Sequence, residues 1–580
     1  MESKTGAFPA VSIAQANALM NQPGGQFELE TVTIDGLEYR TFKNAPRTLR
    51  DTVINARAHG DKESFIYQDE RVSYEAFYRA VMTLANIMRD KYGVKKGDRV
   101  AICMRNYPQW PVATLAALSC GAMATPLNAW WTGEELQYGL ENSGAQLAIL
   151  CPQIFARVEP HLGELPALKD IIIARADEEP AADNMVSLES LIGGANDWKN
   201  LSADVEPPAI EIDADDECML MYTSGTTGHP KGAVCTNRAF ITSMFNSMSC
   251  QARGYIRNGE MPPVPQPDDP QRVFLMSIPF FHTTGFTAVM MVNILRGAKM
   301  ITQYKWNADE ALEIIQREKV QVIGGVPTIA WQIVQHPRRD EYDLSSVMTV
   351  SYGGAPAAPE LVTRAREAFP GTLVGNGWGM TETCATATLN FGMDYVHNPK
   401  SAGAAAMTVD LKIVDANGNT LGPNEPGELC ARGANVMKRY WQNPEATEKT
   451  LQTDGWLHTG DVAKLDEEGF LYLLDRAKDM LIRGGENIYC VEVEDVLMKD
   501  KRILDAAIVG VPHQVLGEEV GAVILLEDGA EMTSADVTAL VREHLAAFKA
   551  PNHVCFVEEP LPRNAAGKVL KGELRKLFIA

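Results

Sequence analysis

The sequence has no C-x-x-C pair and no His/Cys group at metal-ligand spacing, although it holds ten cysteines in 580 residues. Scattered thiols in so long a chain exclude a disulfide framework and a structural zinc site, and they point to a reducing compartment. Positive charge is scarce: 53 Lys and Arg stand against 75 Asp and Glu, a net charge of −22. This balance excludes nucleic acid or an anionic membrane as the main partner, while leaving room for a local basic pocket. The first residues lack a basic segment followed by a long apolar run, and the last three, FIA, are not a peroxisomal address. A cytoplasmic protein is therefore expected. Residues 106–133 carry no Asp, Glu, Lys or Arg, but Pro108, Pro111, Gly121 and Pro126 interrupt them. They predict a buried helix and a buried strand, not a membrane span.

A chain of this length exceeds what one core can hold, so at least two domains are expected. The most informative stretch is MYTSGTTGHPKGA at 221–233. An apolar approach ends at Tyr222, and hydroxyls and glycines follow: Thr223, Ser224, Gly225, Thr226, Thr227 and Gly228. Glycines let the backbone turn tightly and approach a ligand. Successive N–H groups and hydroxyls then form an anion-binding concavity, and Lys231 adds a positive charge for a phosphate oxygen. The spacing is not that of a Walker A loop.

Before this loop, residues 24–42 alternate like a hairpin with its turn at Asp35-Gly36. Residues 74–92 have the spacing of a long amphipathic helix, and strands and helices then alternate through residue 150. That alternation predicts a layered, mainly parallel α/β sheet. Asp213, Asp215, Asp216 and Glu217 are expected to be solvated rather than to bind metal. Residues 237–248 read as a helix, the Pro-rich 254–271 as an irregular surface excursion, and 277–282 as an apolar strand ending in His282. The charged run 475–479 lies between two apolar patterns and marks a domain boundary. Beyond it, about a hundred residues read as a compact α+β unit.

TSGTTGHPKG resembles the signature loop of the adenylate-forming enzymes, among them the acyl-CoA synthetases. Other motifs of that family follow in order: Pro279-x-x-His282, Tyr352-Gly353-Gly354-Ala355-Pro356, Asn376-Gly377-Trp378-Gly379-Met380-Thr381-Glu382, the 454–461 turn ending at Asp461, Asp475-Arg476-Ala477-Lys478, and Pro562-x-x-x-x-Gly567-Lys568. The resemblance covers the chain from about residue 50. It implies a large N-terminal domain (1–476) of layered α/β subdomains with a β-barrel-like subdomain, and a small mobile α+β domain (477–580).

By the same resemblance, Thr223 to Thr227 and Lys231 hold the ATP phosphates. Gly353, Gly354, Ala355, Pro356, Asn376, Gly377 and Trp378 border the adenine, Asp461 accepts from the ribose hydroxyls, and Arg476 binds ribose or phosphate. Glu382, with Thr226, binds Mg²⁺, Thr381 donates to the α-phosphate, and Lys568 is catalytic. The family usually has Tyr at Trp378; stacking on the base is expected to survive without a hydroxyl contact. Lys478 is the hinge. Arg483, Gly484 and Gly485, with Lys478, face CoA, although several relatives carry Lys at Ile482 and Pro at Cys490. Lys571 and Lys576 are expected to be solvated tail lysines. The acyl pocket is assigned to His282, Phe286, Gly325, Val326, Gly353 and Gly377. The glycines there are read as leaving volume, which favours a medium- or long-chain fatty acid over an aryl or steroid-side-chain acid. The implied reaction converts acid and ATP to acyl-AMP and pyrophosphate, then transfers the acyl group to CoA. A carrier-protein acceptor, a luciferase-like oxygenase and a non-catalytic relative are the competing readings, and a homodimer is left open.

Overall fold

The computed structural model describes residues 8–223, 229–264, 266, 269–353, 359–476, 479–484, 486–564 and 567–579. Short runs rich in Val, Ile, Met and Cys become strands buried on both faces. Ile171 to Ile173 and Met219 to Met221 are at most 5% exposed, as expected where helices cover a parallel sheet. These two runs belong to an eight-stranded sheet. Its central strands, Met123–Pro126, Arg99–Cys103 and Leu147–Leu150, run parallel; Gly232–Thr236 and Arg439–Tyr440 are antiparallel at one edge. Helix Tyr74–Asp90 is capped by Ser73 and lays its apolar face on this layer. The uncharged stretch is the buried helix Gln109–Ser119 followed by strand Met123–Pro126. Among the described residues no helix is long and apolar enough to cross a membrane.

A second sheet has thirteen strands. Val273–Met276, Lys299–Thr302, Val322–Gly325, Thr349–Gly353 and Leu373–Met380 form its parallel half. Ala385–Phe391 turns it antiparallel, and the sheet continues through Gly403–Ala405, Phe470–Arg476, Leu457–Leu465, Gly427–Gly433 and Val409–Val414. The strands expected in a barrel-like subdomain are thus continuous with the second sheet. Two element bounds differ from expectation. Helix Asn237–Arg257 runs past residue 248, because Arg253 and Arg257 find buried partners in the carbonyls of Ala404 and Ala405 and in Asp394. The strand before His282 ends at Met276, and Asn106 holds the following segment by accepting from Phe280 N and donating to Ile278 O, both at 2.9 Å.

The N-terminal arm is a short helix, Ile13–Met20, and a hairpin, Leu29–Ile34 with Leu37–Phe42. Asp35 and Gly36 both have positive φ, the turn that a tight hairpin requires. Arg40 pairs with Asp410 at 2.5 Å, fastening the arm to the second sheet. The chain ends in a small α+β domain. Its five-stranded sheet is led by Ile503–His513 and Gly517–Leu526, and its helices Cys490–Leu497 and Ser534–His544 close a core of its own.

Candidate active site

The carboxyl ends of the second sheet's parallel strands and the antiparallel edge of the first meet the small domain across a cleft of about 3070 Å³. Thr223, Lys231, His282, Val326, Asn376, Gly377, Trp378, Thr381, Glu382, Asp461, Arg476 and Lys568 all line it. The sequence spread these residues over 345 positions; the fold gathers them around one space. Ser224, Gly225, Thr226, Thr227, Gly354, Ala355, Pro356, Lys478 and Gly485 lie outside the described residues.

The phosphate loop begins and ends on paired backbone. Thr223 N donates to Lys231 O at 2.8 Å, and Lys231 N donates to Thr223 Oγ1 at 3.3 Å. The Lys231 ammonium sits 5.0 Å from the centre of the Tyr440 ring. Tyr440 Oη donates to Glu382 Oε1 at 2.6 Å, and Glu382 is 7% exposed. Burial and the Glu382 carboxylate push the Tyr440 phenol far up, so it stays a donor. Tyr440 therefore orients the acid expected to bind Mg²⁺, a role that sequence reading missed. Among the described residues no cluster of three or more potential metal ligands exists. A single buried carboxylate fits a Mg²⁺ ion that takes its other ligands from phosphate and water.

Asp461 and Arg476 are cross-strand neighbours, with Arg476 Nε 2.9 Å from Asp461 Oδ1. The indole Nε1 of Trp378 donates to Asp461 Oδ2 at 2.9 Å. Trp378 is 7% exposed and packs among small residues such as Ala387 and Ala406. Trp378 lines the cleft and holds Asp461 through this indole bond.

At the other end, His282 borders the cleft beside Lys568. Desolvation and the Lys568 charge push the imidazole down to about 4. His282 is thus neutral at pH 7, and its Nδ1 accepts from Thr284 N at 3.3 Å. Gly567 presses its Cα face on Val326, where a Cβ would come within 2.9 Å of Val326 Cγ2. The loop carrying Lys568 is therefore seated inside the cleft.

Three acyl-pocket assignments need correction. Phe286 is fully buried, with its ring against Phe240 and Trp110, so it is core. Gly325 is packed on Ser277 and Ile329, so it borders no open space. Gly353 admits neighbouring backbone: a Cβ on it would lie 3.0 Å from Gly377 O; Gly377 itself does line the cleft. Gly325 and Gly353 permit close packing and leave no volume beside them for an acyl chain. Lys571 is also corrected. It is not a solvated tail lysine but sits 2.8 Å from Glu494, with its side chain 20% exposed. The CoA candidates Arg483 and Gly484 lie on a small-domain hairpin, where Arg483 is 3.6 Å from Glu519. Among the described residues Asp213, Asp215, Asp216 and Glu217 pair with Arg47, Arg238, Lys96 and Arg439, as a solvated face does.

A family model described as AMP-binding enzyme matches residues 53–441, and its companion, AMP-binding enzyme C-terminal domain, matches 492–568. The chain belongs to the AMP-binding enzyme family. This family member is 34% identical over 510 residues to a feruloyl-CoA synthase of Amycolatopsis sp, covering 87% of this chain and 94% of the relative. It is 34% identical over 526 residues to a 3-(7a-methyl-1,5-dioxo-octahydro-1H-inden-4-yl)propanoyl:CoA ligase of Mycobacterium tuberculosis, covering 89% and 96%. Among solved structures, ATP-bound MatB from Rhodopseudomonas palustris superposes with a TM-score of 0.76 at 27% identity, covering 91% of this chain and 99% of that one.

Proposed function

We propose that this acid–thiol ligase uses ATP to activate a carboxylic acid that carries a ring system on a short side chain, and then passes the acyl group to CoA. The observation that carries the reading is the seating of Lys568 beside His282 in the same cleft as Glu382 and the Asp461–Arg476 pair.

In the first step the substrate carboxylate attacks the α-phosphorus of ATP, and pyrophosphate leaves. Both reactants are anions, so the site must align them and supply positive charge. His282 is neutral, and Lys568 therefore brings the charge at the acyl end. Lys231 serves the β and γ phosphates, Thr381 donates to the α-phosphate, and Asp461 with Arg476 holds the ribose. Glu382 would hold Mg²⁺, which neutralises phosphate charge when bound. In the second step the CoA thiol attacks the acyl carbon and AMP leaves, which needs no lysine at the phosphate. The small domain then turns about Lys478 and withdraws Lys568.

The ring-bearing substrate is supported from two sides. The relatives named above act, by their names, on feruloyl and hydroindane-propanoyl groups. Of the glycines that favoured a long aliphatic chain, Gly325 is packed by the Ser277 and Ile329 side chains and Gly353 by the 377 backbone. The test is pyrophosphate release with ATP and Mg²⁺ across cinnamic, benzoic, bicyclic propanoic and long-chain fatty acids, with and without CoA. The expected result is CoA-dependent turnover that peaks on a ring-bearing acid. A peak on long-chain fatty acids would overturn the substrate class. Acyl-AMP formation that CoA does not accelerate would favour a carrier-protein acceptor.

A further inference from the structure

The small domain's helix Cys490–Leu497 has no N-cap side-chain bond from its own domain: Tyr489 at the N-cap offers none. The first-turn N–H groups of a helix need an acceptor. Here the acceptor comes from the large domain. Cys490 N donates to Asp475 Oδ2 at 2.6 Å, and Arg476 N donates to Asp475 Oδ1 at 2.8 Å. Asp475 closes strand Phe470–Arg476 and is 7% exposed. Lys571, three residues beyond Lys568, faces the same carboxylate and pairs with Glu494 at 2.8 Å. Glu494 also accepts from Ile508 N at 2.8 Å.

We propose that Asp475, the N–H of Cys490 and Lys571 form a latch between the domains, and that Lys571 and Asp475 are positioning residues that hold the Lys568 loop in its acid-activating place. The latch rests on the two-step reading above. A buried carboxylate is tolerated only while hydrogen-bond donors and a counter-charge compensate it. Removing either compensator leaves the charge stranded and disfavours this domain arrangement. Neutralising Asp475 removes the reason for both. Burial keeps the Asp475 carboxyl up at about 6 even with Lys571 opposite, and Glu494 adds to the rise. A carboxyl raised in one arrangement binds its proton better there, so acid favours that arrangement as pH falls toward 6. Asp495 on the same helix faces Lys400 and is likewise raised to about 6, so the pH response must be read against Asp475→Asn.

The experiment measures the two half-reactions separately in the full chain. Lys571→Met removes the counter-charge. Cys490→Pro removes the N–H, together with the thiol that donates to Asp479 O at 3.1 Å: proline suits the first helical position, and Tyr489, with φ −85° and ψ 116°, already has the extended backbone that a following proline requires. Each variant should slow acyl-AMP formation about ten-fold or more, the effect of stranding one charge-assisted bond. Thioester formation from supplied acyl-AMP should stay within about two-fold of the parent, which a merely structural defect would not allow. Asp475→Asn should restore the Lys571→Met enzyme, and acidification from pH 8 to about 6 should restore it in part, by the linkage above. Equal loss of both half-reactions, no loss in either, or failure of Asp475→Asn to rescue would overturn the latch. If the parent protein forms no acyl-AMP with any acid, the functional reading fails, and hydrogen exchange at the Cys490 amide decides the latch alone. Exchange about ten-fold faster in Lys571→Met supports it, and equal exchange overturns it.

Discussion

The cleft has two walls built on opposite principles. One is the edge of the second sheet, where Gly353, Gly377 and Gly379 let strands approach so closely that a Cβ on Gly379 would fall 1.5 Å from Ala385 O. The other is the loop at 562–571, which is tied down by Asn564 and Arg563 and touches the large domain at Val326. The strand wall cannot move without breaking the sheet. On the proposed two-step reading, the loop wall leaves as a unit, the groups that recognise the nucleotide stand on the strands, and the cation needed for only one of the two steps stands on the loop.

Removing that cation should give the largest effect. Lys568→Ala is expected to cost about 10²–10³-fold in acyl-AMP formation, as for loss of one group that stabilises developing charge. Thioester formation from supplied acyl-AMP should be largely kept; equal loss of both would erase the distinction between the walls. Gly353→Ala is the opposite case. Its Cβ would meet Gly377 O at 3.0 Å, so the strand must shift, at a cost of about 1–3 kcal/mol in stability. Thermal unfolding should fall and both half-reactions should weaken together. Gly567→Ala tests the loop. Its φ of +75° and the Val326 contact resist a side chain, and acyl-AMP formation should drop about ten-fold at little cost in melting temperature. The smallest effect concerns pH. With its imidazole held at about 4, His282 is unprotonated from pH 5.5 to 8, about 1.5 units above its pKa at the acid end. The rate profile in that range should therefore carry no step that His282→Asn abolishes.

The sequence made the strand-to-turn motifs legible because each is local. Thr381-Glu382 follows a strand, the 223–231 loop links two, and Asp461 sits on the strand facing Arg476. What stayed hidden depended on partners far along the chain. Gly325 and Gly353 looked like empty space because nothing nearby in sequence says that Ser277 or the 377 backbone will fill it. Phe286 looked like pocket because Trp110, its neighbour, lies 176 positions earlier. Lys571 looked solvated because its partner Glu494 belongs to another helix. Tyr440 escaped notice because the carboxylate it orients is 58 residues away.

The hairpin near the start of the chain meets Asp410 and Arg432 only after some 370 further residues have been made. At about 5–20 residues per second of synthesis, it waits roughly 20–70 seconds for its docking surface to emerge. Its strands suit that wait. Of their twelve residues only Thr41 and Phe42 become buried, so the nascent arm shows the ribosome's surroundings little that is sticky until its seat exists.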